Sequence, residues 1–239
     1  MRNILWFLLV PLLLLSGRIH AQEEAARYLG FLERKYSGLR DYSVEVNVHF
    51  DMEGFKAPDM QGKLYCKAPD KMKIDSKRVF FFPKEGGYFN PFMFKKEDFE
   101  VKLLEHLMVD GKKAVKLKLT PRKAKKNIQD YVLTIDLDRN LIKQMNLSLF
   151  EGKEIKAVMT YGQFNDFELP TRIELQIDLP FNESIEIRDF GLPPQGAKRV
   201  TGKVEMTYSN YRVNLGLRDE IFKETELPVS RRGSSGKME

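Results

Sequence analysis

The chain has 239 residues and a mass of 27.9 kDa, which suits one domain, or two small ones, around a single sizeable core. Hydrophobic residues make up 42% and charged residues 31%, a balance that argues against global disorder. The net charge is +6, and the one cysteine excludes a disulfide scaffold, a cysteine-based zinc finger and an iron–sulfur site within one chain.

Residues 1–21 have the order of a secretory signal peptide. Arg2 gives a positive start, Ile4–Leu15 is almost wholly apolar, and the small residue Ala21 precedes Gln22. The apolar run is 12 residues long, whereas a membrane-spanning helix needs about 20. We therefore expect export with cleavage near Ala21, and an uncleaved membrane anchor is the alternative.

A short amphipathic helix is predicted over Glu23–Tyr36. Its apolar residues recur at steps of three and four, so they form one stripe that can pack on a core. Ser37 and Gly38 follow, and glycine commonly ends a helix. The stripe consists of Ala25, Leu29, Leu32 and Tyr36.

Most of the remaining chain alternates apolar and polar residues, as half-buried β-strands do. Asp110-Gly111 is a two-residue hairpin signal, and connections this short favour antiparallel neighbours. We predict roughly ten strands in one large antiparallel sheet, whose apolar face must curl or be covered. A partly open barrel with a helical lid satisfies this and leaves a concave apolar site. The alternating runs lie within residues 44–50, 101–109, 112–120, 133–137, 145–149, 173–179, 185–187 and 204–208.

Two segments depart from plain alternation. Residues 80–99 hold eight aromatic residues among several prolines and glycines, which indicates either a loop that closes an apolar site or core packing around a bend. Residues 112–126 are rich in lysine and arginine. They fit either a contact with an anionic membrane or acidic partner, or a solvated loop. The tail from Pro228 is predicted to be disordered.

The search for catalytic chemistry is negative. The sequence has no nucleophile elbow, no zinc-protease helix and no phosphate-binding glycine loop. His49 is expected to be exposed, and His106 has no nucleophile placed with it. Asp136 and Asp138 could hold a cation but are expected to be solvated, and Cys66 is expected to be a buried, inert thiol. We predict no enzyme activity, no metal and no cofactor.

Several ordered motifs, among them the ending YSNYRVNLGLRDEIF at Tyr208–Phe222, together span most of residues 25–222. They resemble the outer-membrane lipoprotein carrier family, the LolA-like and lipoprotein-sorting proteins, and the ending is the most specific match. Where well-studied carriers have an arginine before the proline of the early strand, this chain has Ala68. The other matching stretches are Gly62–Pro69, Asp110–Pro121, Tyr131–Gly152 and Leu169–Ile173.

The resemblance implies an α+β fold that is mainly β: a curled antiparallel sheet forming a half-open barrel with a helical lid, as in LolA and LolB. It implies residues 22–227 as one domain and a periplasmic carrier that binds acyl chains of lipoproteins, or lipids, and moves them toward the outer membrane. The alternative is a binding module of the same fold, like RseB, that senses lipid or lipoprotein.

The expected partners are acylated lipoproteins or lipids, an inner-membrane release complex and an outer-membrane acceptor. Peripheral membrane contact fits the basic segment, a nucleic-acid partner is not expected, and we expect a monomer. Leu29 and Leu32 are predicted for the lid. The predicted ligand-binding residues are Val46, Val48, Phe50, Leu64, Phe80, Phe82, Phe89, Phe92, Leu117, Ile135, Met145 and Leu147.

Overall fold

The computed structural model describes residues 22–53, 58–76, 90–123, 128–150, 153–180 and 199–223. The predicted signal peptide and the predicted disordered tail lie outside the described residues. One helix, α1, covers residues 22–35, and the whole predicted apolar stripe is buried. The amphipathic helix predicted from the three- and four-residue spacing is therefore confirmed.

Within the described residues, ten strands follow α1 and form a single sheet in which every neighbouring pair is antiparallel. The order across the sheet is β3-β2-β1-β10-β9-β8-β7-β6-β5-β4, so the first and last of these strands are neighbours inside the sheet. The bounds are β1 Asp41–Met52, β2 Met60–Lys67, β3 Lys71–Asp75, β4 Phe99–Val109, β5 Lys112–Pro121, β6 Ile128–Asp136, β7 Leu141–Leu149, β8 Lys153–Phe164, β9 Phe167–Pro180 and β10 Arg199–Val213.

Short turns join β4 to β5, β6 to β7 and β8 to β9, and they enforce antiparallel pairing of these neighbours. Asp110 and Gly111 both have positive φ, 51° and 74°, as the predicted two-residue hairpin between β4 and β5 requires. Asn140 and Asn165 adopt the same left-handed conformation in the next turns, and asparagine tolerates it better than most residues. The strand predicted at residues 185–187 lies outside the described residues.

One face of the sheet carries a single continuous hydrophobic core. Alternate residues of nearly every long strand are buried, for example Val46 and Val48 on β1 and Leu117 and Leu119 on β5. The stripe of α1 joins the same cluster, but a helix of 14 residues cannot cover such a face alone. Within the described residues β3 and β4 are edge strands that do not pair with each other, so the sheet is open.

The structure corrects one expectation about the acidic residues near β6. Asp136 is buried rather than solvated, and its carboxylate accepts hydrogen bonds from the backbone N–H groups of Asp138 and Arg139, at 2.9 and 3.1 Å. Asp136 therefore shapes the β6–β7 turn, a common role for aspartate. The described part of the chain contains no helix that is long and apolar enough to cross a membrane.

Candidate ligand-binding site

The predicted ligand-binding residues that the structure describes lie together in the core. Phe92 is half-buried against the core cluster, whereas Phe80, Phe82 and Phe89 lie outside the described residues. Ligand contact by these side chains stays a prediction, because the structure shows them packed against one another. The other predicted ligand-binding residues have side chains that are at most 6% exposed: Val46, Val48, Phe50, Leu64, Leu117, Ile135, Met145 and Leu147.

Core packing explains the described end of the aromatic segment, residues 80–99. Phe94 and Phe99 are buried, and both rings pack edge-on against Tyr131, with centroids 5.4 and 5.7 Å from it. For these two residues the structure shows core packing, the second of the two interpretations of residues 80–99. Asn90 stabilises the adjacent bend, because its side-chain oxygen accepts a hydrogen bond from the Phe92 backbone at 3.0 Å.

The apolar stripe of α1 packs on the core cluster with little free space. Leu29 and Leu32, the predicted lid residues, belong to this stripe and are buried. The gap that Leu32 and Tyr36 share with Phe94 and Tyr161 has a volume of about 10 Å³, barely enough for one water molecule. Opening this interface would expose the apolar stripe and the sheet face together.

An ionic cluster, which we call the helix anchor, holds the C-terminal end of α1. It consists of Lys35, Arg139 and Glu168. Lys35 Nζ donates to Glu168 Oε2 at 2.7 Å and to the Arg139 carbonyl at 2.9 Å, while Arg139 Nε donates to Glu168 Oε1 at 2.7 Å. Tyr36 Oη donates to the Glu168 carbonyl at 2.8 Å.

The helix anchor sets the ionisation of its carboxylate. Burial alone would raise the pKa of Glu168, but the hydrogen bonds and charges of Lys35 and Arg139 outweigh it and lower the pKa below 4.5. Sequence reasoning missed this cluster because Lys35 and Glu168 are 133 positions apart. The only sequence signal was polar residues at the two ends of otherwise apolar patterns.

Two partly buried tyrosines, Tyr161 and Tyr211, place hydroxyl groups near the helix anchor. Tyr161 donates to the Ile142 carbonyl and Tyr211 to the Pro170 carbonyl, both at 2.8 Å. Burial raises the pKa of Tyr161 and Tyr211, so both stay neutral donors. Cys66 is buried as expected, and burial raises the pKa of its thiol to about 12, which keeps the thiolate scarce.

A wider opening lies at the other end of α1. We call it the N-terminal cleft, and its volume is about 350 Å³, at the lower end of the range for ligand pockets. Phe99 and Val101 of β4 form its apolar floor, and charged side chains lie at its rim. Its lining residues are Gln22, Glu23, Ala26, Lys96, Phe99, Val101 and Arg122.

The charged residues singled out by the sequence form surface pairs. His49 is exposed, as expected, and Nδ1 lies 2.7 Å from Asp59, which raises the pKa of His49. His106 Nε2 lies 3.5 Å from Glu24 of α1. In the basic segment, Lys118 pairs with Asp130 at 2.8 Å. Among the described residues, no three His, Cys, Asp or Glu side chains are grouped to hold a metal.

The C-terminal motif that carried the most specific resemblance is a structural clamp. The buried Asp41 carboxylate accepts hydrogen bonds from three successive backbone N–H groups, those of Leu215, Gly216 and Leu217, at 2.7–3.2 Å. Asn214 donates from its side chain to the Gly38 carbonyl at 3.0 Å. The motif therefore ties the segment after β10 to the junction of α1 and β1.

The other half of the clamp is ionic. The Asp219 carboxylate forms ion pairs with Lys67 Nζ at 2.6 Å and with Lys71 Nζ at 2.7 Å. These hydrogen bonds lower the pKa of Asp219 to about 2. Ala68 occupies the position where the carriers have their arginine. The residue before it, Lys67, is therefore bound to the C-terminal segment through Asp219.

Solved structures share this architecture. A DUF1329 family protein from Desulfovibrio piger has a TM-score of 0.60 and 14% identity, covering 85% of this chain and 97% of its own. An outer membrane lipoprotein-sorting protein domain from Vibrio parahaemolyticus has a TM-score of 0.59 and 12% identity, covering 84% and 97%. A LolA superfamily protein from Nitrosomonas europaea has a TM-score of 0.54 and 13% identity, covering 84% and 97%.

Identities this low establish the fold and leave the activity open. No protein-family model and no curated protein sequence matches the chain. The structural likeness extends over more than four-fifths of this chain in all three comparisons. The chain therefore has the fold of the LolA-like proteins, and the resemblance predicted from its motifs is confirmed at the level of the fold.

Proposed function

We propose that this protein is a periplasmic carrier that binds the acyl chains of lipoproteins, or lipids, inside its half-barrel and moves them toward the outer membrane. The observation that carries the proposal is the continuous apolar face of a sheet with a LolA-like fold, against which the apolar stripe of α1 packs. Export with cleavage near Ala21, a domain spanning residues 22–227 and the absence of catalysis belong to the same proposal.

The energetics favour such a role. Burying an acyl chain contributes about 0.8 kcal/mol per CH₂ group. A lipoprotein's acyl chains are therefore costly in water, and an apolar interior can bind them without any reaction. Because the described core is packed, cargo must displace α1 from the sheet, and Leu29 and Leu32 act as the lid that closes again after release.

A contact-dependent fluorescence measurement tests the proposal. Residue Trp6 is the chain's one tryptophan and lies in the predicted signal peptide, so the processed chain has no tryptophan fluorescence of its own. Phe92→Trp places a probe against the core cluster, and Tyr65→Trp places a matched probe on the opposite face of β2. Because Phe92 and Tyr65 are both aromatic and partly exposed, either replacement should be tolerated.

A synthetic tri-acylated lipopeptide with brominated acyl chains serves as the quencher. We expect strong quenching of Trp at residue 92 and little quenching at residue 65. Equal quenching at both positions, or none at either, would refute binding inside the half-barrel. Quenching that is not reversed by acceptor vesicles would favour the sensing module over the carrier.

A further inference from the structure

The two ends of α1 are held very differently. At the C-terminal end, the helix anchor and the Asn214 hydrogen bond to Gly38 fix the helix to two hairpins and to the clamp. At the other end, the polar contact to the sheet within the described residues is the exposed Glu24–His106 pair at 3.5 Å, beside an edge-on contact of Tyr28 with His106.

The N-terminal cleft lies at this end, which has fewer polar contacts with the sheet. Its floor leads directly into the core, because Phe99 and Val101 belong to the core cluster. Val101 faces Leu119 across the β4–β5 pair, and the next inward residue of β4 faces Leu117, one of the predicted ligand-binding residues. The described strands pair only with one another and not with α1, so raising α1 here breaks none of these pairings.

The rim of the N-terminal cleft carries unpaired charge. Lys96 and Arg122 line it, and within the described residues neither forms an ion pair, in contrast to Lys116 and Lys118 on the outer face. Among the described residues that line the cleft, Glu23 is the one acidic side chain. Two free cations above an apolar floor complement a molecule with an anionic head and an acyl tail.

We propose that the N-terminal cleft is the entrance of the carrier, where an anionic amphiphile places its head at Lys96 and Arg122 while its acyl chain passes under α1. The helix turns about the helix anchor as a hinge at its other end. This inference rests on the proposed carrier function and adds to it the route of entry and a preference for an anionic head.

Crosslinking tests the route. Residue Glu23 of α1 and Arg122, just after β5, both line the N-terminal cleft, so Glu23→Cys with Arg122→Cys, joined by a bis-maleimide, holds this end of α1 to the sheet. The exported, processed chain is then mixed with cis-parinaric acid, a fluorescent fatty acid. We expect uptake to slow by about tenfold or more relative to the same variant without crosslinker. Cys66 is buried and does not compete for the reagent.

Two further crosslinked pairs show which end of α1 must open and whether crosslinking alone affects uptake. Lys35→Cys with Glu168→Cys replaces a 2.7 Å ion pair at the hinge, and its crosslinked form should take up the probe within about twofold of its uncrosslinked form. Arg172→Cys with Glu205→Cys, on the outer face, controls for crosslinking itself. Slower uptake from the hinge crosslink than from the cleft crosslink would overturn the proposed entrance.

The rim charges are tested separately. Lys96→Glu and Arg122→Glu should each weaken uptake of oleate by roughly tenfold but leave the neutral monoolein nearly unchanged, since rim charges act mainly on association. Lys112→Glu, in the β4–β5 hairpin, is the matched control. Equal loss for oleate and monoolein would overturn the preference for an anionic head.

The outcomes separate the two levels of the proposal. Fast uptake after the cleft is crosslinked would overturn the entrance and leave the carrier function standing. No uptake of fatty acid, monoolein or lipopeptide by the unmodified chain would remove the carrier function, and the entrance with it.

Discussion

Glu168→Gln is the substitution that most directly tests how α1 is held. One carboxylate oxygen accepts from Lys35 at 2.7 Å, and the other accepts from Arg139 Nε at 2.7 Å and from Nη2. Glutamine keeps the size of the side chain and one accepting oxygen but removes the charge. Its amide group then points a donor at one of the two cations.

The magnitude follows from the geometry. A hydrogen bond to a charged group contributes about 1.5–3 kcal/mol to stability. The side chains of Lys35 and Glu168 are 21% and 18% exposed, so solvent screens the pair in part. We expect a loss of about 2 kcal/mol in the free energy of unfolding, or a fall of roughly 4–8 °C in Tm for a chain of this size.

Urea unfolding followed by circular dichroism measures the loss, and hydrogen exchange of residues 22–35 locates it. Exchange should accelerate in α1 before the central strands are affected. Glu205→Gln, which removes the partner of Arg172 on the outer face at 2.6 Å, is the matched control and should cost no more than about 1 kcal/mol. Equal stability of Glu168→Gln and the unchanged protein would refute the anchoring role.

The pH dependence has a definite sign. The folded pKa of Glu168 lies below its ordinary value of 4.5, so the folded state favours the ionised form. Its contribution is therefore fully present above pH 4.5 and is lost as the pH falls through the lower, folded pKa. The stability difference between the unchanged protein and Glu168→Gln should stay constant from pH 7 to about pH 5 and shrink at lower pH. A difference that grows on acidification would contradict this assignment.

Three other predictions concern the clamp, the sheet and the thiol. Asp41→Asn should cost about 1–3 kcal/mol of unfolding free energy, because the carboxylate that binds the backbone of residues 215–217 is lost; limited proteolysis should then release the C-terminal segment, and unchanged resistance would refute the clamp. Gly202→Ala should cost more than about 2 kcal/mol in urea unfolding, because φ is 145° and the added Cβ would lie 2.5 Å from backbone atoms of β1. Gly111→Ala, at φ 74° with open space around it, is its milder control, and equal costs for the two would show that crowding does not matter. Cys66 should resist maleimide until the chain unfolds, since burial raises its thiol pKa to about 12; labelling of the folded protein would contradict this burial.

Local patterns determined the elements and their faces. Period two is set by the pleat, so the alternating residues of β1 and β5 had to lie on one face whatever the topology. The stripe of α1 and the Asp110-Gly111 hairpin were equally readable, because helix pitch and turn geometry depend on neighbouring residues alone. The ordered motifs also sufficed to predict the LolA-like fold that the structural comparisons confirm.

Only the tertiary structure decided which distant residues meet. Glu168 joins Lys35 and Arg139 because the β8–β9 and β6–β7 turns reach the same end of α1, and no local pattern encodes that meeting. Alternation likewise marked Leu117 as inward-facing but could not tell a packed side chain from one beside an opening. That difference depends on where α1 lies across the strands, which long-range packing determines. The sequence by itself therefore specified a LolA-like sheet and its apolar face, and the tertiary structure alone located the helix anchor, the clamp and the N-terminal cleft.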